Sequence, residues 1–183
     1  MDIKSLTIYC SSSNILDKKY YKLAREIGVF LSNQRITIIY GGGKVGLMGE
    51  ISRSAIETGG KVIGVIPEFL NSKEIINYEI SETIIVKDMS ERKKKMYQLG
   101  DAFLILPGGS GTIEEATEII SWKLLNIHRK NIIIFNYCNF WDSLIKMYDE
   151  VKDENFANKN LQNICMNVET LKQFKILFQN EQN

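Results

Sequence analysis

Two adjacent carboxylates, Glu114 and Glu115, head a helical stretch that follows Leu106-Pro107-Gly108-Gly109-Ser110-Gly111-Thr112-Ile113, where an apolar run gives way to a glycine-rich turn. Glycines let backbone N–H groups approach a ligand closely, and Thr112 is placed to cap the helix that follows. A helix N-terminus offers unpaired donors and the positive end of a dipole, which together favour a phosphate. The stretch therefore reads as an active-site loop. The acids also have a simpler explanation, because carboxylates suit the dipole in any helical first turn, and spacing alone leaves both readings open.

A second charged residue stands out for its direction. In the basic run Arg92-Lys93-Lys94-Lys95, Lys94 reads as part of a solvated helix face. At about 100° per residue, however, Met89, Arg92, Met96 and Leu99 share one stripe, so Arg92 points inward with the apolar residues. An inward guanidinium needs an anionic partner, supplied either by the protein or by a ligand. The residues alone do not choose between the two.

Gly41, Gly43 and Gly46 formally satisfy G-x-G-x-x-G between a strand and a helix, with Glu68 placed where a dinucleotide fingerprint asks for an acid. The match is weak, because the fingerprint belongs on the first strand of such folds and here it follows the second. No Gly-Lys-Ser/Thr triplet closes either glycine loop, so neither is a Walker A motif. His128, the only histidine, falls at the end of a predicted helix, where its cationic form would suit the dipole. Cys10 ends the first strand without a histidine in its pattern, which argues against a nucleophile. Asp101 and the acids of Lys152-Asp153-Glu154 read as surface charge.

The elements that position these residues alternate. Apolar, β-branched runs at 6–9, 36–40, 62–66, 83–86, 103–106 and 132–135 are separated by helical segments at 18–32, 47–58, 90–99, 112–127, 140–149 and 168–178. This predicts a Rossmann-like, doubly wound α/β fold, a mainly parallel sheet with helices on both faces. In such sheets ligands bind beyond the carboxyl ends of the strands, where the strand order reverses. The loops Cys10-Ser11-Ser12-Ser13, Gly41 to Gly46 and Pro107 to Thr112 all follow strands, adding Ser11, Gly42 and Gly43 as candidate contacts. The segment 153–163 is polar and predicted as loop, and 179–183 as a frayed tail. The helix after the Pro107 loop carries Ile113, Ala116, Thr117, Ile120, Leu124 and Ile127 on one face and Glu115, Glu118, Ile119, Trp122 and Leu125 on the other. A helix apolar on both sides is expected to bury one side in its own domain and the other against a second copy of the chain.

At 183 residues the chain suits one domain, residues 1–183, with a full core. A formal net charge of +1 provides no global field for a nucleic acid polymer or an anionic membrane, so any basic site must be local. Three dispersed cysteines fit neither a disulfide framework nor a zinc site. With no apolar stretch near about 18 residues and no signal-peptide pattern at Met1-Asp2-Ile3-Lys4, the expectation is a cytoplasmic protein.

Taken together, Gly41-Gly42-Gly43 with Gly46-Leu47-Met48-Gly49, then Met89-x-x-Arg92-Lys93, then Pro107-Gly108-Gly109-x-Gly111-Thr112-x-x-Glu115 resemble the LONELY GUY (LOG) family of phosphoribohydrolases. The similarity runs from the first strand to about Trp141 and includes Val65-Ile66-Pro67 ahead of Glu74. It implies hydrolysis of the N-glycosidic bond of an adenine-type nucleoside 5′-monophosphate, plain or N6-prenylated, to free base and ribose 5-phosphate. The resemblance places the family's catalytic arginine and glutamate at Arg92 and Glu115. Its substrate contacts fall at Glu74, Arg92, Lys93, the run Gly109, Ser110, Gly111, Thr112, Ile113, Glu114 and Glu115, and at Ser121. Ser121 stands where the family more often has threonine, and Ser110 where it usually has an aromatic residue. No metal or cofactor is required by this chemistry. Some relatives carry a lysine decarboxylase label, but no lysine here has a recognisable pyridoxal-phosphate setting.

Overall fold

The structure, a computed structural model, describes residues 1–70, 77–157 and 161–179. Among the described residues, seven strands, β1 (Ser5–Tyr9), β2 (Thr37–Tyr40), β3 (Val62–Pro67), β4 (Glu82–Val86), β5 (Ala102–Ile105), β6 (Asn131–Phe135) and β7 (Met166–Val168), form one sheet in the order β4-β3-β2-β1-β5-β6-β7. Every pairing is parallel. Helices α1 (Lys18–Asn33), α2 (Gly46–Glu57), α3 (Met89–Leu99), α4 (Ser110–Leu124), α5 (Asp142–Asp153) and α6 (Leu171–Ile176) complete the alternation. The expected Rossmann-like architecture is the one observed.

Continuous β-branched strands of this kind have two faces to bury, and the core divides accordingly. Leu6, Ile8 and Cys10 pack with residues of α1, α2 and α6 on one side. Tyr9, Phe103 and Ile105 pack with residues of α3, α4 and α5 on the other. Towards the C-terminus the sequence reading departs from the structure. The chain forms a seventh strand at 166–168, α5 runs on to Asp153 where a loop was expected, and the last helix begins at Leu171 rather than Val168. The tail at 180–183 lies outside the described residues.

The strand order reverses at β1, which has β2 on one side and β5 on the other. Loops leaving β1 and β5 therefore part to opposite sides of the sheet and leave a crevice between them. The Ser11 N–H donates to the Pro107 carbonyl at 3.2 Å, tying the two loops together at its base.

Candidate active site

α3 brings Arg92 to this crevice and is fixed at both ends. Asp88 caps it by accepting from the Glu91 N–H at 2.9 Å, while the Glu91 carboxylate accepts from the Lys87 N–H at 2.8 Å. At its other end the Thr7 hydroxyl donates to the Met96 carbonyl, and Lys130 Nζ donates to the carbonyls of Tyr97 and Gly100. The stripe read from the sequence is the inward one: Met96 and Arg92 are buried, Met89 and Leu99 are half-buried, and Lys94 is exposed.

Arg92 is 7% exposed and its partner is Glu115, 5% exposed. Arg92 Nη1 donates to Glu115 Oε1 at 2.7 Å, and Arg92 Nε donates to the Val65 carbonyl at 3.1 Å. Both side chains line a cleft of about 340 Å³, with Cys10 to Ser13, Met48, Met89, Gly109 to Thr112 and Glu114 completing the wall. Burial holds the Glu115 carboxyl above the usual carboxylate range; the Arg92 guanidinium pulls it down and Glu114 pushes it up. The pair is thus both a core contact and a pair of charges facing a cavity of ligand size.

α4 supplies the second feature of the cleft. It starts two residues earlier than expected, at Ser110, with Gly109 as N-cap and no side-chain cap bond. Thr112 is therefore not the cap: it sits in the first turn, buried, with its hydroxyl packed into the space that a side chain at Gly108 would occupy. The Ile113 N–H donates to the Gly109 carbonyl at 3.0 Å, whereas the N–H groups of Ser110, Gly111 and Thr112 precede the point where helical pairing begins. An uncapped helix N-terminus thus opens onto a cleft that holds a carboxylate and a guanidinium.

The glycine fingerprint has a different fate. At the start of α2 the Leu47 N–H donates to the Ser11 carbonyl at 2.9 Å, and the Gly46 N–H donates to Asn14 Oδ1 at 2.9 Å. The helix end that would receive a dinucleotide's pyrophosphate is therefore closed by the loop after β1. Gly46 is required there because its φ is +62° and a Cβ would lie 2.5 Å from the Ser12 carbonyl carbon.

Among the expected contact residues, Arg92, Gly109, Ser110, Gly111, Thr112, Glu114, Glu115 and Ser11 line the cleft together. Lys93 instead forms ion pairs with Glu114 and Glu118 at 2.5 and 3.0 Å along the outer side of α4. Ile113 and Ser121 are exposed on α4, and Gly42 and Gly43 are buried and do not line the cleft. Glu74 lies outside the described residues. The sequence reading missed Met48, Met89, Ser12 and Ser13 as lining residues, although each stood within a quoted motif or loop. His128 is not a dipole-stabilised cation: it is buried, its Nε2 bonds the Ile119 carbonyl at 2.8 Å, and burial lowers its pKa. Burial, reinforced by Glu115, pushes the Cys10 thiol far up, consistent with its exclusion as a nucleophile. Asp101 is more than surface charge. It accepts from the N–H groups of Lys4 and Ser5 and from the Ser5 hydroxyl, and these bonds outweigh desolvation to hold its carboxyl below the usual range.

Fold and site define a class, the Rossmann-like α/β proteins with an uncapped helix end and a buried charged pair at the topological switch point. Within that class the chain belongs to the LOG family: residues 48–175 match the family model described as "Possible lysine decarboxylase". Cytokinin riboside 5′-monophosphate phosphoribohydrolase LOG7 of Arabidopsis thaliana is 38% identical over 170 residues, covering 93% of this chain and 78% of the plant protein. The cytokinin riboside 5′-monophosphate phosphoribohydrolase of Rhodococcoides fascians is 35% identical over 170 residues, covering 91% of this chain and 86% of its own. Among solved structures, the molybdenum cofactor carrier protein of Chlamydomonas reinhardtii superposes with a TM-score of 0.72, covering 94% of each chain at 16% identity, which shows the shared fold alone. Among the described residues no helix is long and apolar enough to cross a membrane.

Proposed function

We propose that this protein hydrolyses the N-glycosidic bond of a nucleoside 5′-monophosphate of the adenine type, plain or N6-prenylated, releasing the base and ribose 5-phosphate. The observation that carries this reading is the buried Arg92–Glu115 pair opening onto the same cleft as the uncapped N-terminus of α4. The 5′-phosphate lies against the N–H groups of Ser110, Gly111 and Thr112, where the helix dipole favours an anion. That anchor places the ribose deeper in the cleft, beside Glu115. Loss of the base develops positive charge at C1′, and a carboxylate next to that carbon stabilises the charge and orients the attacking water. Glu115 must be ionised for this, which burial opposes and Arg92 favours. Arg92 thereby keeps the carboxylate charged and fixes its direction.

Relatives of this chain are cytokinin riboside 5′-monophosphate phosphoribohydrolases, which supports that substrate, and the cleft chemistry suits any nucleotide with the same phosphoribosyl part. The test is incubation with AMP and with N6-prenyl-AMP, followed by chromatography of the products. Release of free base together with ribose 5-phosphate is expected from at least one of them. Tight nucleotide binding with no base released from either would instead make the protein a nucleotide-binding regulator.

A further inference from the structure

With the α2 helix end closed by the loop after β1, phosphate binding does not account for the first glycine of the Gly41-Gly42-Gly43 run. Gly41 lies outside the left-handed region, so its backbone suits any residue, unlike Gly42 with φ +77°. What a side chain at 41 meets is Arg92: a Cβ built there lies 2.1 Å from Nη2 and 3.3 Å from Cζ. Met48 Sδ, 3.3 Å from the same point, occupies the adjoining space. The Arg92 guanidinium therefore rests in the volume that Gly41 leaves vacant, with its Nε directed to Val65 and its Nη1 to Glu115.

We infer that Gly41 is a positioning residue for the charged pair: the missing side chain is the seat of Nη2, and any larger residue moves the guanidinium off Glu115. The chemistry assigned to the pair rests on the hydrolase reading above; the seating does not. The atom a methyl group would strike is the end of a flexible side chain rather than backbone, so the fold yields cheaply while the guanidinium shifts by about 1 Å. Displacements of that size at a catalytic constellation lower rates by about a hundredfold. The backbone at 41 itself accepts alanine without strain, so the stability cost is that of the weakened Arg92–Glu115 pair and, like that of Arg92→Ala, is smallest at low pH.

The experiment compares Gly41→Ala in two backgrounds. In the wild-type protein the alanine is expected to lower kcat about a hundredfold with a smaller change in KM, and to keep the melting temperature at pH 5 within a few degrees. In Arg92→Lys protein, which has no Nη2 to displace, the same alanine is expected to cost nothing further. A wild-type rate in Gly41→Ala, or an equal fold-loss in both backgrounds, overturns the inference. A second readout needs no turnover. The Glu115 carboxyl, followed by NMR in protein labelled with 13C-glutamate and assigned by its absence in Glu115→Gln, is expected to titrate at higher pH in Gly41→Ala than in wild type. An unchanged midpoint defeats the seating claim. Failure of wild-type protein to release base from either nucleotide defeats the hydrolase reading instead, and the titration still decides the seat.

Discussion

At the scale of single residues, Glu115 and Arg92 carry opposite obligations to stability and function. Glu115→Gln keeps volume and hydrogen-bonding capacity while removing the charge, so it is expected to fold normally and lose at least about a hundredfold in kcat, on the order of 3 kcal/mol of transition-state stabilisation. Steady-state rates on the substrate that wild type cleaves check this, and a rate near wild type removes Glu115 from the mechanism. Arg92→Ala strands the carboxylate in a buried site, and the cost depends on pH. The folded-state pKa of Glu115 is raised above its unfolded value by burial, and removal of the guanidinium raises it further. A carboxyl so shifted holds its proton more tightly folded than unfolded, so its contribution is favourable at low pH and is lost as pH rises from about 4.5 through the folded pKa. Thermal denaturation of Arg92→Ala is therefore expected near wild type at pH 5 and to fall progressively behind it towards pH 8, by up to about 3 kcal/mol for a broken buried pair. A deficit independent of pH would mean lost packing rather than an unpaired charge. The inward direction of Arg92 was legible from the 3.6-residue stripe alone, but its partner was not. The two residues are 23 apart in sequence, and only the fold, which brings them to one cleft, joins them.

Whole elements were mostly legible because their signals are local and repeated. Buried β-branched runs located six strands, and helical periodicity located their partners. The seventh strand was missed because Met166–Val168 is too short to show alternation, and its last residue, Val168, was read as the start of a helix. The helix start was nevertheless written in the sequence: Thr170 and Gln173 form a capping box that places the first turn at Leu171. Thr112 misled in the opposite sense, since a good capping residue inside a glycine-rich turn was taken for the cap while Gly109 fills that position. How closely elements approach one another was not legible, and Gly46 shows why it matters. A methyl group at 46 meets backbone of Ser11 and Ser12 rather than a movable side chain, and the φ of +62° disfavours alanine independently. Gly46→Ala is expected to cost roughly 2–4 kcal/mol from strain and overpacking together. It should also loosen Ser11 to Ser13, which line the cleft. Urea denaturation measures the first effect, and a midpoint within error of wild type would show that the two loops are not packed as tightly as the distances state.

At the scale of the whole molecule, the outer surface of α4 and the turn beyond it expose apolar side chains. The expectation of two apolar faces is half met within one chain. Ala116, Ile119 and Ile120 are buried and Trp122 stacks edge-on against Tyr97, whereas Ile113, Leu124, Leu125 and Ile127 are 40%, 37%, 70% and 57% exposed. Leu125 and Ile127 lie past the end of the helix, so periodicity extended it one turn too far, although both residues are apolar and exposed. The contact residues that the family resemblance places at Lys93, Ile113 and Ser121 stand on the same α3–α4 side rather than in the cleft of their own chain. We propose that a second copy of the chain covers this side, because an apolar patch seeks a partner and a symmetric pair would bring each copy's outer α4 residues towards the other. Light scattering of the purified protein is therefore expected to report twice 21.0 kDa. Leu125→Glu combined with Ile127→Glu, placed outside the cleft, should shift the mass to 21.0 kDa and reduce turnover by weakening substrate binding. A wild-type protein that is monomeric and active would defeat the prediction, and a dissociated variant with full activity would show that each cleft is complete within its own chain.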